Sequence, residues 1–190
     1  MKNIKEKYPS GDFAVWIIIY IELITFGALF VSYAYSRSQN VKLFNESQLL
    51  LDTRLGFINT LLLISASFFV VKAVEYIKSE KSKEIASRFI LVAVFFGSLF
   101  LLIKVSEFAG KYAQGVNLST NTFFMFYFIL TIFHFLHVVL GVVILFNLYK
   151  KTKIGGYTKN SINGLESGAN YWHMVDLLWI VLFPLIYVMR

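Results

Sequence analysis

FILVAVFFGSLFLLIKVSEFA, residues Phe89 to Ala109, holds the key to the fold. Its first fifteen residues contain no charge and do not alternate apolar with polar, so a strand of a membrane barrel is a poor fit. A helix fits well. At 1.5 Å rise per residue, about 20 apolar residues cross a hydrocarbon core of about 30 Å, and this run is long enough. Four more runs of the same kind lie near 13-35, 55-77, 121-149 and 168-189. The expectation is an all-α, polytopic membrane protein, a five-transmembrane-helix bundle forming a single membrane domain over 1-190. The polar residues before the first run carry no small-residue cleavage site, and the run exceeds a signal h-region, so the first helix is expected in the mature protein.

Composition agrees. Hydrophobic residues make up 57% of the 190 residues and charged ones 15%, against about 45–50% and 25% in a soluble domain. The absence of Cys excludes disulfides, iron-sulfur clusters, CxxCH haem attachment and cysteine-based zinc sites. Phe and Tyr are abundant, and Tyr33, Tyr35, Tyr76, Tyr112, Tyr149, Trp16 and Tyr187 fall near span ends, as an interfacial aromatic belt would. The net charge of +7 comes from lysines in short connections, so it does not point to nucleic acid.

Those lysines set an orientation. Lys2, Lys5 and Lys7, then Lys78, Lys81, Lys83 and Arg88, then Lys150, Lys151, Lys153 and Lys159 fall on one side; Arg37, Lys42, Arg54, Lys111 and Arg190 fall on the other. Basic residues are retained in the cytoplasm, so the N-terminus is expected cytoplasmic and the C-terminus outside. The connections, including 36-52 on the outer side, are read as loops.

Ionisable residues inside spans carry the functional information, because each costs roughly 2.5–3.5 kcal/mol at a helix centre unless it faces protein, a partner or water. Glu22 lies about ten residues into its span, roughly 15 Å deep, and cannot reach the surface. A carboxyl hydrogen-bonded to a neighbouring helix, a proton-handling group, and a contact for lipid or a partner are all open readings. Lys72 with Glu75, and Lys104 with Glu107, are spaced for ion pairs at i and i+3. His134 and His137 share one face, and Glu166, His173 and Asp176 share another. If the fourth and fifth spans are antiparallel neighbours, His137 and His173 lie at similar depth and exchange hydrogen bonds in a polar zipper. The alternative is a metal or haem site from the three histidines with Glu22 or Asp176; three histidines are few for that. No Gly-rich phosphate loop, serine nucleophile motif or HExxH occurs.

IELITFGALFVSYAY (Ile21 to Tyr35), NTLLL (Asn59 to Leu63) followed by SAS, FHFLHVVLG (Phe133 to Gly141) and ESGANYWHMVDLLWIVLFPLIY (Glu166 to Tyr187) together resemble subunit III of the haem-copper oxidases, most of all its five-helix branch associated with nitric oxide reductases. The resemblance implies an accessory subunit without redox cofactors of its own, packed on a catalytic haem-copper oxidase or nitric oxide reductase subunit that carries haem with copper or non-haem iron. It also implies a bacterial inner-membrane location, bound phospholipid, and support of assembly, stability and proton uptake in the partner. Glu22, Glu107, His134, His137, Glu166, His173 and Asp176 match the family's intramembrane polar positions. Longer members have two further N-terminal helices that form a lipid-filled cleft with the other five, and this chain begins at the third, which weakens the case for lipid in that cleft. Lys104 stands where many members have an uncharged polar residue, and Asn170 where a Trp is usual. Two rival expectations come from the residues: a stand-alone proton-coupled transporter built on the mid-depth carboxylate, and a small membrane metalloenzyme. Against the first, five spans do not divide into equal repeats.

Overall fold

The computed structural model describes residues 10–189. Lys2, Lys5, Lys7 and Arg190 of the charge tally lie outside the described residues. Six α-helices are present among those described: α1 (Phe13–Gln39), α2 (Val41–Gln48), α3 (Thr53–Lys78), α4 (Lys83–Ala113), α5 (Thr122–Lys153) and α6 (Asn163–Phe183), which runs on into a π-helical turn, Pro184–Val188. All but α2 are long and apolar enough to cross a membrane. The all-helical, five-span expectation therefore holds.

Two details differ from the sequence reading. Residues 41–48, expected as loop, form α2. Eight residues cannot span, but Phe44 is buried against Tyr33 and Phe123, at ring distances of 5.3 and 5.6 Å, and that contact holds the short helix across the bundle end. The spans also extend past their apolar cores. The run at 89-109 belongs to a helix over Lys83–Ala113, because hydropathy marks where lipid begins whereas helices end at caps. Ser82 accepts from the Ile85 amide, Asp52 from Arg54 and Leu55, and Asn121 from Phe124.

α3, α4, α5 and α6 form the packed body. Trp172 of α6 fits between α4 and α5 because glycines face it: a Cβ on Gly97 would lie 2.7 Å from the indole, and one on Gly141 2.9 Å. By contrast α1 buries only Ile19, Phe26 and Tyr33, one narrow seam at seven-residue spacing against α5 and α6. The ends of the bundle differ in charge. Lys78, Lys81, Lys83, Lys150, Lys151, Lys153 and Lys159 gather at the basic end, where the start of α1 meets α6 through the Asp12 amide and Ser167 Oγ at 2.8 Å. At the opposite end Pro184 turns the last helix into its π turn. The carbonyls there are taken up from outside: Gln48 donates to Ile186 O at 2.9 Å and Tyr33 to Leu185 O at 3.2 Å.

Candidate functional site

At mid-depth, on the seam between α1 and α5, Glu22 Oε2 lies 3.0 Å from His137 Nε2. The other ring nitrogen, Nδ1, is 2.8 Å from the Phe133 carbonyl one turn earlier on α5. A carbonyl only accepts, so Nδ1 carries hydrogen. Nε2 and Oε2 are at ion-pair distance without a hydrogen bond between them, and Oε2 is buried with no hydrogen-bond partner among the described residues. Phe26 and Phe133 set their rings edge-on to the imidazole at 5.6 and 4.7 Å, and the Tyr171 hydroxyl donates to the His137 carbonyl at 3.4 Å. The pair retains some exposure, 22% for the Glu22 side chain and 11% for that of His137, because α1 covers so little of it.

Towards the opposite end lies a second cluster with no exposure to speak of. Lys104 Nζ donates to Tyr187 Oη at 2.7 Å and to Glu107 Oε2 at 3.1 Å. Tyr127 and Tyr187 donate to the other carboxylate oxygen, Oε1, at 2.8 and 2.6 Å. The rings of Trp179, Tyr187 and Phe108 surround the ammonium at 5.0, 5.2 and 5.4 Å. Every acceptor and the cation are thus met inside the protein. Tyr187, read from sequence as part of an aromatic belt, is buried here, as is Tyr33.

The remaining polar residues of the sequence reading separate. His134 is fully buried and stacks on Trp179 at 5.3 Å, and neither ring nitrogen has a hydrogen-bond partner among the described residues. Glu166, His173 and Asp176 do share a face, but it looks onto α3. In antiparallel order Glu166 meets Lys78 at 2.6 Å, His173 shares a cavity with Val71 and Val74, and Asp176 lies beside Ser67. The expected exchange between His137 and His173 does not occur. Tyr171 faces α5, and two residues further along a helix is about 200° around it, so His173 points away. Lys72 and Glu75 form the expected exposed pair at 2.8 Å. Among the described residues no three His, Asp or Glu side chains group as a metal ion requires, so the residues do not fit the metal-site alternative.

Sequence reasoning missed Tyr127, Tyr171 and Trp179, and misplaced Tyr187. Their spacing to Glu107 and His137 crosses helices, so no signal within one span announces them.

A mid-depth carboxylate held by an HxxH histidine, followed by an E-x6-H-x2-D stripe on the last helix, is a specific combination, and the family model of cytochrome c oxidase subunit III matches residues 12–190. The chain belongs to that family. It is 32% identical over 178 residues, covering 93% of this chain and 75% of the relative, to cytochrome c oxidase subunit 3 of Synechocystis sp.. It is 28% identical over 182 residues, 93% of this chain and 85% of the other, to cytochrome bo(3) ubiquinol oxidase subunit 3 of Buchnera aphidicola subsp. Acyrthosiphon pisum. It is also 28% identical over 190 residues to heme-copper oxidase subunit I+III of Aeropyrum pernix, covering 97% of this chain and 23% of that longer protein. As a subunit III, the chain is an accessory, non-catalytic component of a haem-copper oxidase; neither the transporter nor the metalloenzyme expectation finds support in these relatives.

Proposed function

We propose that the chain packs on the catalytic subunit of a bacterial haem-copper oxidase in the plasma membrane, and that its Glu22–His137 pair keeps the partner's proton-uptake region hydrated and correctly packed. The observation that carries this is the pair itself: a carboxyl and an imidazole 3.0 Å apart at mid-depth, at a seam that α1 leaves partly open. A groove for storing or steering protons needs acid and base groups at mid-depth, and this pair, unlike the sealed Lys104–Glu107 pair, is only partly covered within the chain. The chain acts through its partner and transfers no electrons. The relatives' names favour an oxygen-reducing oxidase over a nitric oxide reductase as its setting, and the fused name of the Aeropyrum relative supports subunit I as the neighbour. The haem and copper reside in that partner.

The lysine-rich end supports a cytoplasmic N-terminus and an outer C-terminus, with 1-190 acting as one membrane domain. Bound phospholipid is part of the same reading. Glu107, His134, Glu166, His173 and Asp176 set helix register and contacts rather than chemistry. Gentle detergent purification of the tagged full-length chain tests the partnership: co-purification of a haem-bearing subunit I is the expected outcome, and a colourless chain that moves protons across liposomes unaided would refute it. The role of the pair is tested in the assembled complex. Glu22→Gln should leave assembly intact but lower turnover or hasten its decay during catalysis; unchanged turnover and lifetime would sink the role.

A further inference from the structure

At the basic end, Lys81 from the α3–α4 connection, Lys83 from the start of α4 and Lys159 from the α5–α6 connection line one cavity of about 210 Å³, together with Glu80, Tyr157 and Thr158. The backbone holds these groups in place. Glu80 has a left-handed φ of 55°, which lets the Lys81 amide donate back to the Tyr76 carbonyl at 2.9 Å and seats the Lys81 ammonium 5.0 Å from the Tyr76 ring. Gly155, at φ +77°, makes room for Lys83: a Cβ there would lie 3.1 Å from the ammonium nitrogen. On the far wall the Ser161 amide donates to the Thr158 carbonyl at 3.0 Å, closing a tight turn. Tyr157 is 4% exposed, and burial raises its phenol above the ordinary tyrosine value, so it stays neutral.

The charges in the cavity are unbalanced. Three lysines and one carboxylate, Glu80, line it; Glu75 lies near Lys81 and Glu84 near Lys83, but none of the three lysines forms an ion pair among the described residues, whereas Lys78 is met by Glu166 and Lys104 by Glu107. Like charges gathered from two connections and the start of α4 make the cavity electropositive, which favours an anion there. A phosphate group answers that need: it offers several acceptor oxygens in a compact tetrahedron, matches the ammonium and hydroxyl donors, and carries the missing negative charge. Carboxylate-bearing ligands present fewer acceptors and in one plane.

We propose that this cavity binds a phosphate group, borne by a membrane-lipid headgroup or free in solution. The site is independent of the partnership argued above and stands or falls separately from it. A general basic surface would attract phosphate anywhere on this end, so Lys150 and Lys153, which sit beside the Phe146 and Tyr149 rings outside the cavity, serve as the matched control.

The test uses the full chain, with whatever subunits accompany it. One arm places it in phosphatidylcholine nanodiscs containing phosphatidylglycerol and counts retained phosphatidylglycerol by native mass spectrometry. The other titrates inorganic phosphate in neutral detergent and follows the phosphorus NMR linewidth. Binding in the first arm alone identifies a lipid headgroup, and binding in the second identifies the free anion; either supports the site. Lys83→Gln with Lys159→Gln should weaken binding about tenfold, and Lys150→Gln with Lys153→Gln less than about threefold. Lys159→Glu, on an exposed turn, gives a second reading if the double variant assembles poorly. No binding in either arm, or a loss no greater in the cavity variants than in the control, overturns the proposal.

Discussion

Two acid–base groupings inside this bundle contain a carboxylate and a nitrogen base, yet their surroundings differ completely. Lys104 and Glu107 are sealed: the ammonium, both carboxylate oxygens and both tyrosine hydroxyls are all paired within the protein. Glu22 and His137 meet at one contact across a thinly covered seam. A saturated network resists any change in protonation, because each change strands a buried partner; a sparse pair with some access tolerates it. The first grouping locks the end of the last helix to α4 and α5, whereas the second joins only α1 to α5.

Removal of one member of the sealed cluster is expected to do the most damage. Glu107→Ala leaves the Lys104 ammonium buried without its counter-charge, and the loss should be about 3–5 kcal/mol of stability in detergent-unfolding titrations. Lys104→Met combined with Glu107→Leu should recover most of that loss; failure to recover would mean that the cluster is not a coupled unit. Next in size is the packing that brings α4, α5 and α6 close enough for such clusters to form. Gly97→Ala pushes a methyl against Trp172 and should cost about 1–3 kcal/mol, read by the same unfolding titration, with a shift in tryptophan fluorescence.

For the open pair the comparison predicts a small effect on stability and a visible one on function. Glu22→Gln keeps the shape and a hydrogen-bonding group, so its unfolding midpoint should move by less than about 1 kcal/mol, while the turnover lifetime of the assembled oxidase shortens severalfold. A stability loss as large as that of Glu107→Ala would erase the distinction between the two groupings. His134 gives the smallest effect expected. Its ring stacks on Trp179 with no polar partner found, so His134→Phe should be neutral within about 1 kcal/mol. A large loss there would reveal a hydrogen bond that stacking alone does not explain.

Much of the architecture was legible in the chain. Five spans, the lysine-rich end, the ion-pair spacing of Lys72 with Glu75 and Lys104 with Glu107, and the inward facing of the polar stripes follow from local composition and from the 3.6-residue period. The identity of each polar partner was not legible. His137 was expected to meet His173 and instead meets Glu22, while the stripe of Glu166, His173 and Asp176 faces α3. Tyr187 looked interfacial and is buried in hydrogen bonds. Phe44 turned an expected loop into a helix by filling a gap between α1 and α5.

Sequence alone determined that this protein must place five apolar helices in a membrane and hide its charges among them, since the cost of exposing peptide groups and ions to lipid depends on each segment's own residues. Only the tertiary structure decided which charge meets which. One residue of rotation turns a side chain by about 100°, so the pairing of Glu22 with His137 and the closure of Lys104 within its ring of aromatics were set by how helices α1, α4, α5 and α6 rotate and cross when they pack.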